Sequence, residues 1–349
     1  MFFSSFKMPK PKPVLSLDYL YIQVKRPLEL SGKYHDLLTL NRLPYSTRHF
    51  KFVDELFYGR RRVATVVHTP LSELLPVDLI LVKFDNWMLY CQDLERFVTW
   101  FLGANSMAFV SLSRIDLCAD MNEFANGMNP ERFIGRYMAS KVLRYGKTGK
   151  FRAQGRQTGN KHRWESLRFG SQYSEVAAYL YNKTLEMDEV ERKPWIVERW
   201  KKSGLDIDRP VWRVEISLKA SHKMIVDSLS GDAEEINSLQ ILSPARQEKI
   251  FHILRERYFS FVWNDGQVRK DRMNELRLFP SKFAQFVIAD AEGKEMSNRS
   301  DKIFIRKIEK TIEELRGRSI PLTIAASDLK MHMIESRDLV TWAMSHGIT

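Results

Sequence analysis

The sequence predicts an α+β protein: a twisted, mainly antiparallel sheet backed by helices, with a helical C-terminal region. Three observations carry this expectation. Several segments alternate apolar and polar residues at the period of a strand. Between them lie amphipathic segments with helix-start and helix-stop residues. A loose strand–helix–strand order then appears twice, which suggests two similar halves, with no short-period repeat.

In chain order, residues 1–16 form a flexible basic lead-in, with prolines and lysines alternating at "MPKPKP". "LDYLYIQVK" alternates as a strand, and "HFKFVDELFYGRRRVATVVHTP" reads as a hairpin turning near Gly59. "VDLILVKFDNWMLYC" is one long strand or two short ones, "QDLERFVTWFLGA" a helix stopped at Gly103, and "SMAFVSLSRIDLCADM" a strand. "NPERFIGRYMASKVLRYG" is an amphipathic helix with Asn129 as cap, Pro130 in its first turn and Gly146 at its end. Residues 163–170 and 175–183 read as paired strands around "SQYS". "TLEMDEVERKPWIVERWKKSG" is helical, interrupted or restarted at Pro194; "PVWRVEISLK" is a strand; 244–260 are helical, as is most of the chain beyond about 267. The expected division is a lead-in over 1–16, an α+β domain over 17–265 and a helical region over 266–349.

With 349 residues, 44% hydrophobic and 28% charged, the chain has the balance of a soluble globular protein with ample core. A formal net charge of +12 points to a polyanionic partner, nucleic acid before an anionic membrane. Cys91 and Cys118 are the only cysteines, which argues against a disulfide framework. No apolar run reaches membrane-span length, and the N-terminus is a poor signal peptide, so a cytoplasmic location is expected.

Three strands carry polar residues at period two. Arg114, Asp116, Cys118 and Asp120 share a face in "SRIDLCAD"; Tyr179, Tyr181 and Lys183 share one in "AAYLYNK"; Arg213, Glu215 and Ser217 share one in "WRVEISLK". Their opposite faces are apolar. Any single R-x-D or R-x-E pair is more often a surface ion pair, but three on neighbouring strands would form a charged floor. Asp and Glu oxygens suit Mg²⁺ or Mn²⁺, which commonly bind phosphate. An arginine and a metal can neutralise charge building on a phosphoryl group, and a tyrosine can act as a covalent nucleophile. A free phenol titrates near pH 10, so Lys183 or a metal would have to favour the phenolate.

"SRIDLCAD", "SLRFGSQYS", "YLYNKTLE" and "VWRVEISLK" occur in the order seen in the replication initiation factor family, the Rep_trans type of rolling-circle initiators of plasmids, integrative elements and some phages. The chain resembles that family's R-x-D-x-x-x-D, G-S/R-x-S, Y-x-K-x-x-E and R-x-E pattern over roughly residues 110–220. The resemblance implies a site-specific nickase and ligase for single-stranded DNA that forms a 5′-phosphotyrosine link and frees a 3′-hydroxyl. It implies Tyr181 as nucleophile with Tyr179 as rival, and Asp116, Asp120 and Glu215 as ligands of Mg²⁺ or Mn²⁺. Lys183, Arg114 and Arg213 would contact phosphate, and Glu186 would support Lys183. Gln172 stands where an arginine is common, with Arg168 close by. A conjugative relaxase, a non-catalytic DNA-binding protein of the same fold and a metal-dependent nuclease using water are the alternatives.

Basic segments supply the expected grip on origin DNA, single-stranded or as a hairpin. Residues 142–164 contain Arg144, Lys147, Lys150, Arg152, Arg156, Lys161 and Arg163 and no acid before Glu165. They read as a loop or hairpin tracking a DNA backbone. Phe151 and Trp164 could stack on bases or belong to the core. "GKTGK" fails as a Walker loop, since Lys141 stands where its first glycine belongs. Arg60, Arg61 and Arg62 sit at a second basic hairpin tip. Histidines are dispersed, with no His-x-His pair, no HExxH and no zinc-finger set. Residues 299–318 read as a solvated helix of mixed charge. The C-terminal region is left for contacts with a host helicase or polymerase, though no motif identifies one.

Overall fold

The structure, a computed structural model, describes residues 12–283 apart from 92–93, 146–148, 159–160, 172–173, 220–224 and 228–232. Its strands are β1 (Val14–Lys25), β2 (Thr39–Arg42), β3 (Phe50–Tyr58), β4 (Arg61–Pro70), β5 (Leu79–Phe84), β6 (Ala108–Met121), β7 (Val142–Arg144), β8 (Phe151–Thr158), β9 (Lys161–Phe169), β10 (Val176–Asn182), β11 (Trp212–Lys219), β12 (Ile225–Asp227), β13 (Ala233–Glu235) and β14 (Phe261–Trp263). The helices are α1 (Asn86–Leu89), α2 (Leu94–Ala104), α3 (Pro130–Met138), α4 (Lys183–Glu189), α5 (Pro194–Lys202) and α6 (Pro244–Tyr258). Ten strands hydrogen-bond in the order β2-β3-β4-β5-β1-β6-β11-β10-β9-β8. This is the mainly antiparallel α+β architecture expected.

The described chain divides into two compact units. One holds residues up to Asp18, Ile115–Asn237 and the chain from Pro244; the other holds Tyr19–Arg114 and Ser238–Ser243. Each has the same connectivity. In one, β1 pairs with β5, and β5, β4, β3 and β2 run on as a meander. In the other, β6 lies beside β11, and β11, β10, β9 and β8 run on the same way. A long strand followed by a meander that returns beside it is thus built twice, as the repeated strand–helix–strand order suggests.

In the Tyr19–Arg114 unit, Leu20, Ile22, Val66, Val82 and Phe84 are buried with Phe97, Val98 and Phe101 of α2, and the Phe84 and Phe101 rings meet edge-on at 5.3 Å. The β3–β4 hairpin turns at Gly59, whose φ of 58° suits glycine. In the middle of β3, Asp54 anchors a polar knot, accepting from Tyr34, from Arg42 and, at 2.9 Å, facing His68. After β5 the chain does not start a second strand. It turns into α1, and the Asp85 carboxylate ahead of it accepts from Arg62.

In the other unit, aromatic rings fill the apolar side of the meander. Phe133 of α3, Phe169, Phe259, Phe261 and Phe279 are all buried, with the Phe133 and Phe261 centroids 4.8 Å apart. Each such ring is worth roughly 1.5–3 kcal/mol in burial alone. Asn129 caps α3 by accepting from Glu131 and Arg132. The helix ends at Met138 rather than at Gly146, because Ser140 takes a left-handed φ of 55° and the Lys141 N–H closes back on the Arg136 carbonyl. The released residues form β7, paired with β14. Pro194 starts a new helix, α5.

Two boundaries differ from expectation. β1 begins at Val14, inside the expected lead-in. From 266 to 283 the chain holds one 3-10 turn, Lys270–Arg272, and is otherwise irregular, with Phe279 and Phe283 buried against Phe251. Residues 1–11, the rest of the C-terminal region and the helix expected at 299–318 lie outside the described residues. Among the described residues no helix is long and apolar enough to cross a membrane.

Candidate active site

The register of β8–β11 lays out a polar floor in rows. Arg152, Arg168, Tyr179 and Glu215 stand opposite one another in one row; Gln154, Ser166, Tyr181 and Arg213 form the next. Opposed residues of antiparallel strands share a face, so these side chains emerge together. Leu167, Phe169, Leu180, Val214 and Ile216 take the other face and are buried.

Tyr181 donates its hydroxyl to Glu215 Oε2 at 2.9 Å. Its ring stacks on Tyr179 with centroids 4.5 Å apart and planes 27° apart. Both tyrosines line a cleft of about 280 Å³ with Ser166, Leu185, Glu186 and Glu215. Tyr181 is only 8% exposed. Burial pushes its phenol well above the usual range; Glu215 pushes the same way, and Arg213 opposes. Burial also raises Glu215, and the charges of Asp116 and Asp18 add to it, so that its carboxyl is pushed up to about 7 against the opposing pull of Arg213 and the Tyr181 hydrogen bond.

Lys183 is the first residue of α4 rather than the end of a strand, because the Asn182 side chain caps the helix by accepting from the Leu185 N–H. Its ammonium is 2% exposed, 2.7 Å from Glu186 and 5.6 Å from the centroid of the Tyr181 ring. Lys183 and Glu186 are therefore paired as the Y-x-K-x-x-E spacing suggests.

Arg213 and Asp120 are fully engaged with each other. Arg213 Nε and Nη2 donate to the two Asp120 oxygens at 2.7 and 2.8 Å, Nη1 lies 2.7 Å from Asp18, and Trp200 Nε1 donates to Asp120 at 2.7 Å. Arg213 is 0% exposed and Asp120 1%, so this is an internal clamp joining β6, β11, β1 and α5. Asp116 is also buried, one turn of the pleat from Cys118 on the same face. Among the described residues no group of three or more His, Cys, Asp and Glu is gathered to hold a metal ion. Arg114 belongs to the other unit, where its guanidinium lies over the Tyr19 ring at 4.3 Å.

Asp18 is the site residue that motif reading misses. It lies in "LDYLYIQVK", and the signal available was one acid inside an otherwise apolar strand start.

The basic residues separate into different roles. Arg144 is buried, donates to the Tyr258 carbonyl and lies 4.3 Å over Phe169, so it belongs to the aromatic core and not to a DNA-facing surface. Arg156 pairs with Glu165 and Glu189, acids that the linear run did not bring near it. Arg62 pairs with Glu55 and Asp85, Arg61 lies over Trp87, and Arg60 is exposed at the tip. Lys150, Arg152 and Arg163 are exposed and Arg168 is half-buried. Lys161 opens β9, while Lys147 and Gln172 lie outside the described residues. Phe151 is 47% exposed, with its ring against Tyr137.

No family model and no curated protein matches the chain. Among solved structures it is similar to one described as the rolling circle replication initiator protein from Geobacillus stearothermophilus, at 15% identity and a TM-score of 0.45. The match covers 76% of this chain and 94% of that one. A likeness at that level assigns no residue role and no activity.

Proposed function

We propose that the protein is a DNA strand transferase of the rolling-circle initiator type, nicking and rejoining single-stranded or hairpin DNA through a phosphotyrosine. The observation that carries this reading is the hydrogen bond from Tyr181 to Glu215 at the cleft, with Lys183 beside the same ring. Tyr181 Oη attacks the scissile phosphorus, and the P–O3′ bond breaks. The phenol proton passes to Glu215, whose raised affinity for protons suits a general base near neutral pH. The 3′-oxygen leaves as a hydroxyl after taking a proton from solvent, and the 5′-phosphate stays on Tyr181. The reverse steps reseal the strand.

Asp120 is engaged by Arg213 and Trp200, so the proposed ligands of a divalent cation are Asp116 and the Glu215 oxygen that Tyr181 does not use. Mg²⁺ needs only one or two protein carboxylates when a substrate phosphate completes its shell. Bound there, it would supply charge neutralisation at the phosphoryl group. Arg213 acts by positioning Asp18 and Asp120 rather than by touching phosphate. Arg152 and Arg168, in the row next to Tyr181, face the incoming strand.

The test is a denaturing gel of protein with a pool of 3′-labelled hairpin oligonucleotides in Mn²⁺. Wild-type protein should carry label-shifting DNA covalently, and Tyr181→Phe should bind the pool but form no adduct. An adduct at the wild-type rate in Tyr181→Phe but not in Tyr179→Phe assigns the reaction to Tyr179. Cleavage surviving loss of both tyrosines makes water the nucleophile.

A further inference from the structure

A second cleft, of about 450 Å³, opens in the same unit on residues that the chemistry above does not use. One wall is α3, which presents Arg132 and Arg136 four residues apart, hence on one helix face. The opposite wall is Trp263 at the end of β14 and the returning segment Glu275–Arg277. That segment is pinned in place: Val262 bridges Glu275, and the Leu276 N–H donates to the Phe261 carbonyl. The arginines outnumber the acids, with Arg132, Arg136 and Arg277 against Glu275 alone. Glu275 pairs with Arg277 at 3.3 Å. Among the described residues neither Arg132 nor Arg136 has a carboxylate partner. Arg136 lies 5.0 Å over the Trp263 ring, and buried Leu276 provides an apolar base.

A flat aromatic and aliphatic floor ringed by guanidinium groups matches one chemical unit, a base joined to phosphates. Bases stack on indole and guanidinium planes, and arginines grip phosphate oxygens in pairs. We propose that this cleft is a binding subsite for single-stranded DNA, separate from the Tyr181 cleft, in which a base lies against Trp263 and Arg136 and neighbouring phosphodiesters meet Arg132 and Arg277. The inference shares its DNA ligand with the reading above but does not depend on Tyr181 reacting.

The test uses the full chain and fluorescein-labelled (dT)15 in a polarisation titration over a range of NaCl. Arg132→Glu with Arg136→Glu should weaken binding at least tenfold and flatten the salt slope by about 0.7, since of the two only Arg132 meets a phosphate and each single-strand phosphate contact contributes about 0.7. Both positions lie on a helix surface, so the melting temperature should hold. Trp263→Phe should weaken binding less and lessen the quenching of tryptophan emission expected on (dT)15 binding, and Tyr181→Phe should leave (dT)15 binding unchanged. Binding of the arginine variant within twofold of wild type, with an unchanged salt slope, overturns the proposal. So does competition by free dTMP as strong as by (dT)15, which would make the cleft a mononucleotide pocket. Loss of nicking alone in Tyr181→Phe and loss of (dT)15 binding alone in the arginine variant separate the two readings.

Discussion

Glu215 gathers the local electrostatics into one titration. Its carboxyl moves from the ordinary 4.5 to about 7, through burial first and then Asp116 and Asp18. A carboxyl that holds its proton more tightly when folded stabilises the fold most below pH 4.5. That contribution fades as pH rises to about 7 and is gone above it. Glu215→Gln keeps an acceptor for Tyr181 and removes the titration. In EDTA, the variant should therefore gain on the wild type by on the order of 3 kcal/mol between pH 4.5 and 8 in urea unfolding. A difference independent of pH would show that Glu215 does not titrate there. Asp120 poses the complementary case. Asp120→Ala removes two hydrogen bonds to the buried Arg213, leaving it beside Asp18, and should cost about 3 kcal/mol, part of which Arg213→Met should restore in the double variant. Equal losses in the single and double variants would mean that the clamp is not an interacting unit. At this scale motif spacing brought Tyr181, Glu215, Lys183 and Glu186 together in advance. It could not tell a solvent-facing arginine from Arg213, because burial depends on Trp200 and Asp18, which lie far off in the chain.

Elements follow from residues only when their ladders stay regular. Alternation identified β6, β10 and β11 and their polar face, since period two survives any pairing that keeps its register. It left Trp164 open between base stacking and the core. β8 and β9 slip register between Gln154 and Gly155, where Glu165 becomes the unpaired residue. The slip turns Trp164 to the side of α3, where its indole lies 3.5 Å from the Cβ position of Gly135, and turns Arg156 toward Glu165. Gly155 makes that packing feasible. A Cβ there would sit 2.3 Å from the Arg163 carbonyl oxygen, a backbone atom that cannot swing away. Gly155→Ala should cost about 1–3 kcal/mol in thermal or urea melts. Gly149→Ala, with nothing within 4 Å of its Cβ, should stay within about 0.5 kcal/mol of wild type. Equal melting of the two variants would remove the close approach as the reason for glycine. Helix ends were readable where a side chain caps, at Asn129, and missed where backbone geometry alone stops the helix, at Ser140.

For the whole molecule, the formal excess of +12 says less about DNA than where the structure leaves that charge. Arg62 and Arg156 face carboxylates, and Arg144 and Arg213 are inside. Lys150, Arg152 and Arg163 remain exposed with no carboxylate partner among the described residues, on or beside the hairpin that flanks the tyrosines. Counterion release rewards only cations that reach phosphate, so affinity should depend on these positions and not on net charge. Arg152→Ala with Arg163→Ala should lower the affinity for single-stranded DNA severalfold and reduce the salt slope by about 1.4 in a NaCl titration. Arg62→Ala with Arg156→Ala removes the same formal charge and should leave both nearly unchanged, because each of those arginines already has its anion. If the two double variants weaken binding equally, the protein attracts DNA by its overall field, and the hairpin has no special part in guiding a strand toward Tyr181.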